Sequence, residues 1–317
     1  MAATLPSDMK IYDNLVQTGY IERQMDNLSV FNAGSNNAIQ MISRIIPGDY
    51  EKNAYYNVGG DAERRDITSN DTTTDTAIGA DEAVSVKCAW KYGPYAATYE
   101  SFLRRARTME EFSFIYGQHL ADAALKRMLT VALAGLEGCF ALNTDMVVSS
   151  VTVATDGKSA LIDGMKKLGD KFTNQACWVM HSSTYLDFID KAISDNIFNE
   201  AGVVVYGGNP GTMGKPVVVT DQCNSNYIYG LQPGAIVCTE SQAPVNISQP
   251  VTDLENIALR YRAEGAFNLE IMGYSWDPTA GGANPTDVAL ALAANWDKHA
   301  TSNKSTAGFK IDLTAGS

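Results

Sequence analysis

Histidine, cysteine and basic residues are scarce in this chain of 317 residues. It has 3 histidines and 5 cysteines, and 24 lysines and arginines stand against 36 aspartates and glutamates, for a formal net charge of −12. A protein whose main task is to grip nucleic acid shows a basic face, so the charge argues against that class. The cysteines are odd in number and contain no C-x-x-C pair, so neither a disulfide framework nor a zinc knuckle is indicated.

Long hydrophobic runs and a basic leader are also missing. The longest apolar stretch, 129–142, is interrupted by Glu137 and is too short to span a bilayer. The first residues, M-A-A-T-L-P-S-D, contain no apolar signal core. Because 45% of the residues are hydrophobic, the chain has ample material for a core. We therefore expect a soluble, intracellular protein with one large domain or two.

The motifs of the common enzyme classes are absent as well. Nucleophilic catalysis needs a nucleophile, a base and an orienting group, and there is no G-x-S-x-G, H-E-x-x-H or G-x-G-x-x-G. His119 is expected on or near the apolar face of a helix, as a packed or rim residue. His181 is expected to hydrogen-bond the serines that follow it, and His299 lies in a polar tail. Asp187 and Asp190 are expected on the exposed side of a helix, where nothing separates their pKa values. We predict no catalytic, cofactor-binding or metal-binding residues and no enzymatic activity.

The sequence of 176–221 predicts a strand, a serine-capped helix, a second strand at V-V-V-Y (203–206), a Gly-rich turn and a third strand. Ala176–Met180 is apolar enough for a buried strand, and Ser182 or Ser183 is predicted to cap the helix after it. The helix is expected to bury Leu186, Ile189 and Ile193. Pro216 then opens the β-branched run V-V-V-T-D.

Gly214-Lys215 gives this stretch a superficial likeness to a phosphate-binding P-loop. Asn209 stands where that motif needs its first glycine, and Pro216 stands where it needs Ser or Thr. A strand follows, so no helix N-terminus is aimed at a phosphate. The turn is therefore interpreted as a plain glycine-rich connection.

The strongest helix signal begins at the capping box T-M-E-E, 108–111. Apolar residues continue at i, i+3 and i+4 spacing, and Gly138 is the expected stop. These limits predict a helix of about 28 residues, roughly 40 Å long. A shorter amphipathic helix is expected near 10–26.

Upstream of that helix, the sequence pattern of residues 46–94 predicts a two-stranded arm. Aromatic and aliphatic strand-like ends bracket a polar middle, 59–82, which is long for a connection inside a compact domain. An isolated hairpin is marginal in water, so the arm is expected to lie against another surface.

Later segments give shorter signals. A second helix is expected over 159–170, and 227–231 and 235–239 are expected to pair as strands joined by Q-P-G. Two half-buried strands are expected over 257–262 and 266–271, with Gly265 as a turn or bulge between them. The tail is expected to contain one helical segment near 287–296.

The order of these elements resembles that of tailed-bacteriophage major capsid proteins with the Hong Kong 97-type fold. The sharpest mark is G-T-M-G-K-P-V-V-V-T-D at 211–221, and S-V-F-N-A-G-S-N-N-A-I-Q-M at 29–41 resembles a phrase near the amino terminus of such proteins. The resemblance implies an α+β fold with an N-terminal arm, an extended loop, a long spine helix, and peripheral and axial domains. The implied divisions are arm and first strand 1–46, extended loop 47–95, peripheral domain with the spine helix 96–146, axial domain 147–241, and return to the peripheral domain with the tail 242–317.

The resemblance also implies a structural function. Copies of the chain would form hexamers and pentamers of an icosahedral head shell around double-stranded DNA, which they would contact weakly. The implied partners are a scaffolding protein, a portal and decoration proteins, with no membrane; the protein would be made in the host bacterial cytoplasm and reside in the virion. The alternatives are an encapsulin-type nanocompartment shell and, less favoured, a small-molecule α/β enzyme.

One departure from the family concerns covalent cross-linking. In the best-known member, a lysine on the extended loop forms an isopeptide bond with an asparagine of a neighbouring subunit. Between Asn53 and Val86 this chain has no lysine, only Arg64 and Arg65, which stay protonated and cannot act as nucleophiles. Lys52 and Lys87 are expected at the base of the loop. We therefore predict a shell without covalent cross-links.

Overall fold

The computed structural model describes residues 6–57, 64–65, 67–70, 72, 75, 78–104, 109–149, 151–199, 215–251 and 255–314. Within these ranges the α-helices are α1 (Pro6–Gly34), α2 (Tyr99–Arg104), α3 (Met109–Leu142), α4 (Val153–Asp156), α5 (Lys158–Lys166), α6 (Ser182–Asn199), α7 (Pro278–Gly281) and α8 (Asp287–Leu290). The strands are β1 (Ile39–Ser43), β2 (Tyr50–Asn57), β3 (Gly79–Thr98), β4 (Val147–Val148), β5 (Cys177–Met180), β6 (Val217–Val219), β7 (Tyr227–Leu231), β8 (Ile236–Val251), β9 (Ala258–Ile271), β10 (Tyr274–Trp276), β11 (Trp296–Lys298) and β12 (Gly308–Asp312).

A first sheet has the strand order β1-β8-β9-β3-β2. The long strands β8, β9 and β3 are antiparallel, and β1 pairs with β8 in parallel. Alternate residues of β9 are buried on the face toward α1 and α3, including Leu259, Tyr261 and Phe267. This period of two is what builds a half-buried sheet.

The helix α1 crosses α3 at two glycines. An added Cβ on Gly117 would lie 2.2 Å from the Val16 carbonyl oxygen, and one on Gly19 would lie 2.7 Å from that of Phe114. The backbones therefore approach more closely than any larger residue allows. Tyr20, next to the crossing, donates a hydrogen bond to the buried Glu240 carboxylate of β8, and so joins α1 to the sheet.

The predicted long helix is α3, and it is longer than its sequence signals suggest. It runs 34 residues and continues through Gly138 to Leu142, so the expected stop is wrong. An added Cβ on Gly138 would lie 2.2 Å from the Leu290 carbonyl oxygen, so this glycine admits a close neighbour instead of ending the helix. The expected capping residue Thr108 lies outside the described residues. The predicted helix over 10–26 is also longer, since α1 spans Pro6–Gly34.

A second sheet has the order β4-β12-β7-β5-β6. Its core is aromatic: the rings of Trp178 and Phe309 meet edge to face at 5.6 Å. Near the end of α3, Phe140 stacks on Tyr229 of β7 with ring centroids 6.0 Å apart. The long helix α3 thus packs against both sheets and connects their two hydrophobic cores.

Two pairing expectations are wrong. β7 and β8 do not form a hairpin: β7 pairs with β5 and β12, whereas β8 pairs with β1 and β9. In the connection between them, the Gln232 amide donates to the carbonyl oxygens of Lys304 and Thr306. Gly265 is not a turn, because it lies inside the continuous β9, where an added Cβ would be 2.8 Å from the Trp90 ring. The expected irregularity is found opposite it, where the register of β8 shifts between Gln242 and Val245.

The tail differs from the expected single helix. It contains α8, a 3-10 turn over Ala293–Asn295, and the strands β11 and β12. β12 lies between β4 and β7, inside the second sheet. The expected helix over 159–170 is divided into α5 and a 3-10 helix, Gly169–Asn174.

The details of α6 and β6 also correct the sequence analysis. The residue that caps α6 is His181, since its Nδ1 accepts from the Ser183 backbone N–H at 3.1 Å. Leu186 is 61% exposed, while Thr184 and Phe188 are buried. The strand after Pro216 is confirmed as β6, but it is an edge strand and Val218 is only half-buried. The expected strand at 203–206, the turn at 211–214 and the side chain of Ile193 lie outside the described residues.

Candidate functional site

The most distinctive feature is a two-stranded ribbon, formed by β2 with Gly79–Val86 of β3. β2 pairs antiparallel with this half of β3, from Tyr50 opposite Val86 to Asn57 opposite Gly79. From Val86 onward, β3 pairs with β9 inside the first sheet. One strand therefore runs from the sheet core out into the ribbon, which gives the ribbon a rigid root.

The base of the ribbon is held by β10. The Ser275 Oγ accepts from the Val84 N–H at 2.9 Å and donates to the Glu82 carbonyl at 3.3 Å. Beside it, Lys52 and Glu82 form an ion pair at 2.7 Å across the two strands. The sequence analysis did not identify Ser275. Nothing in the sequence of a short strand indicates that a serine hydroxyl will hydrogen-bond to the backbone of a different strand.

A second contact joins the ribbon to the segment after β11. The Tyr55 and His299 rings lie 4.6 Å apart. Burial lowers the pKa of His299, and the nearby Asp81 carboxylate opposes that effect. The imidazole is therefore neutral at pH 7 and serves as a packing surface for the ribbon.

The lysines expected at the base of the loop are found there. Lys52 belongs to β2, and the Lys87 ammonium donates to the Ile46 carbonyl at 2.8 Å. Both amines are thus engaged within their own subunit. All five cysteines are buried and free. Burial raises the pKa of each thiol, to about 12 for Cys88, Cys177, Cys223 and Cys238.

The face of the first sheet opposite α3 presents apolar side chains to solvent. Val245 and Ile247 of β8 are 53% and 60% exposed. They stand opposite Glu264 and Arg262 of β9. Exposed aliphatic side chains grouped on a sheet face indicate an interaction surface. The sequence alternation predicted the strand β9, but it did not predict that β8 would continue beyond Thr239 or that this face would stay uncovered.

The histidines do not form a catalytic group. His119 is exposed on α3, His181 caps α6, and His299 packs on the ribbon. The predicted contact of His181 with the following serines is confirmed, since its Nδ1 lies 2.8 Å from the Ser183 Oγ. The His181 Nε2 is 3.8 Å from Asp221, too far for a hydrogen bond.

The predicted exposure of Asp187 and Asp190 on α6 is confirmed. Within the described ranges, no group of three or more His, Cys, Asp or Glu side chains is placed to hold a metal ion. In the same part of the chain, no helix is both long and apolar enough to cross a membrane. After Lys215 the chain forms a strand, and the Lys215 ammonium donates to the Thr173 carbonyl, which is not the geometry of a P-loop.

Comparison with known proteins points to one family. A family model described as Gp13-like, Major capsid protein 13-like, matches residues 8–309. No curated protein matches the chain.

Several solved capsid structures are similar to this chain at low sequence identity. The capsid of the empty GTA particle is 12% identical, with a TM-score of 0.50 over 73% of this chain and 90% of that one. The capsid of Myoviridae phage XM1 is 12% identical, with a TM-score of 0.48 over 76% and 87%. The capsid of cyanophage P-SCSP1u is 10% identical, with a TM-score of 0.47 over 74% and 83%.

Proposed function

The chain belongs to the Gp13-like family of major capsid proteins, and from this premise we propose how its elements serve a shell. The protein is a structural component of the virion, with the α+β Hong Kong 97-like fold, and copies of it assemble into the capsid of a tailed bacteriophage. Nothing in the comparisons favours an encapsulin-type nanocompartment. We propose that the protein has no catalytic activity, supported by the separation of its histidines.

The ribbon is proposed as the base of the extended loop, which reaches a neighbouring subunit. The observation that carries this is the continuity of β3 from the first sheet into the ribbon. A strand rooted in a packed sheet keeps a fixed direction, and its outer part can then bind a second copy without loosening its own fold. Ser275 and His299 hold the root in place.

The two sheets support the proposed domains. The first sheet with α3 would form the peripheral domain, and 147–241 would form the axial domain, apart from 236–241, which is the start of β8 and belongs to the first sheet. The position of β12 between β4 and β7 extends this proposal, because the end of the tail then belongs to the axial sheet. The copies would form hexamers and pentamers through contacts between different patches, as ring assembly requires.

The remaining partners are proposed from the role. A scaffolding protein, a portal and decoration proteins would complete the head, and the enclosed DNA would be contacted weakly because the chain carries a net charge of −12. Stability would come from many non-covalent contacts between subunits.

The test is replacement of 58–78 by a short Gly/Ser turn that joins Asn57 to Gly79. We expect the subunit to remain folded, because the sheet contacts of β3 begin at Val86 and are retained. Electron microscopy should show closed shells for the unaltered chain and none for the variant. Normal shells from the variant would contradict the proposed role of the loop, and unfolded protein by circular dichroism would contradict its separation from the core.

A further inference from the structure

The second sheet has two chemically different ends. β4, β12, β5 and β6 all run in the same direction, since β12 and β5 are each antiparallel to β7, and β4 and β6 are parallel to their neighbours. Their amino-terminal ends therefore lie together at one end of the sheet. Their carboxyl-terminal ends lie together at the other.

Lysines from separate segments gather where these strands begin. We call this the lysine end; it comprises Lys166, Lys167, Lys171, Lys215 and Lys304. The side chains are brought together by contacts between the segments: Lys304 reaches Asp170 at 2.6 Å, Lys171 reaches the Ser305 hydroxyl at 3.0 Å, and Lys215 reaches the Thr173 carbonyl at 3.2 Å.

The lysine end is positive despite the acidic chain. Its five lysines exceed the three nearby carboxylates of Asp145, Asp163 and Asp170. Phe172 lies among them and is 48% exposed. A cationic surface with an exposed aromatic ring is suited to an anionic partner that also offers apolar contact.

The opposite end of the sheet carries an open cleft. It has a volume of about 610 Å³ and is lined by residues of α4, α6, the segment before β7 and the end of β12: Thr152, Val153, Thr184, Asp187, Asp190, Lys191, Ser225, Asn226 and Leu313. Asp187 and Asp190 are exposed on its wall. Asp221 and Asp312 lie at the same end, just after β6 and at the last position of β12. Val153 and Leu313 supply apolar surface between the charges.

We propose that the lysine end of one subunit docks on the cleft of the next copy, so that the two ends of the second sheet form a head-to-tail contact. This rests on the proposed function, since it requires copies of the chain to associate. Two different patches of one molecule, opposite in charge, are what a heterologous contact needs, and repetition of such a contact closes a ring. The ion pairs between lysines of one subunit and aspartates of the next would lie at an exposed interface. They would therefore speed association and select the correct partner, and their attraction would weaken as the salt concentration rises.

The experiment reverses the charge in three variants: at the lysine end, at the cleft, and at both together. The lysine-end variant is Lys167→Glu with Lys304→Glu, and the cleft variant is Asp187→Lys with Asp190→Lys. Each should lower the yield of closed shells about tenfold at low salt, because like charges then meet. The chain with all four substitutions should recover the yield to within about twofold, since the attraction is restored with its sign exchanged.

The matched control, Arg104→Glu with Lys126→Glu, makes the same change in net charge on exposed residues of α2 and α3, outside the lysine end and the lining of the cleft, and should assemble normally. Circular dichroism on each variant separates loss of folding from loss of docking. A fourfold variant no better than either double variant overturns the inference. Normal shells from the lysine-end variant that retain less DNA would also overturn it and assign the lysines to DNA. An unaltered chain that forms no shells at all would instead refute the proposed function.

Discussion

Gly138→Ala should destabilise the subunit, although the same change usually stabilises a helix. In an exposed helix interior, alanine is favoured over glycine by about 1 kcal/mol. At Gly138 the added Cβ would lie 2.2 Å from the Leu290 carbonyl oxygen and 2.7 Å from the Trp296 Nε1. These atoms are themselves joined, since the Trp296 indole N–H donates to that carbonyl at 2.8 Å. Because the Leu290 carbonyl belongs to the backbone, the end of α8 must move by roughly 1 Å before the distance to the new Cβ becomes an ordinary van der Waals contact.

The free-energy cost of this movement exceeds the gain from the higher helix propensity of alanine. Overpacking a tight site costs about 1–3 kcal/mol, and the weakened buried hydrogen bond adds about 1 kcal/mol. The expected net loss is thus about 1–3 kcal/mol in the free energy of unfolding. Denaturant unfolding of unassembled subunits, followed by tryptophan fluorescence, measures it as a lower midpoint at unchanged slope.

Two other glycines serve as controls. An added Cβ at Gly135 would meet only the ends of the Ile271 and Leu269 side chains, at 2.8 Å, which can turn aside, so Gly135→Ala should cost less. At Gly34 nothing lies within 4 Å, so Gly34→Ala should be neutral or slightly stabilising. If Gly138→Ala proved as harmless as Gly34→Ala, the packing of α3 against α8 described above would be incorrect.

Three further outcomes are expected. Tyr20→Phe removes the donor to the buried Glu240 carboxylate and should cost about 1–3 kcal/mol; an unchanged unfolding midpoint would show that α1 does not depend on this bond. Val218→Asp should leave soluble subunit, because this edge-strand residue is half-buried, whereas Val179→Asp should abolish it, because Val179 is fully buried in β5; equal solubility of the two would refute the strand order. Mature particles boiled in SDS with reductant should run as one band near the 34.2 kDa of the chain. A ladder of covalent oligomers would contradict the prediction of a shell without cross-links and would show that a lysine outside the loop reacts.

The sequence by itself determined the elements that have a strong period. The helical spacing after 108 identified α3, and the alternation over 257–262 and 266–271 identified the two halves of β9, although not their continuity through Gly265. The strand-like ends of 46–94 likewise identified the ribbon, and the arrangement of elements along the chain indicated the family. The sequence also lacks G-x-S-x-G, H-E-x-x-H and G-x-G-x-x-G. Local pattern also placed Asp187 and Asp190 on an exposed helix face.

Only the tertiary structure decided which element covers which. A buried face on β7 says nothing of its neighbour, and the contacts with β12 join residues more than 70 positions apart. Gly138 reads as a helix stop until the backbone at Leu290 is brought against it. Leu186 reads as a core residue until α6 is turned so that Phe188 faces the sheet. The opposite charges at the two ends of the second sheet were equally hidden, because strand direction, and not sequence position, brings Lys171, Lys215 and Lys304 together.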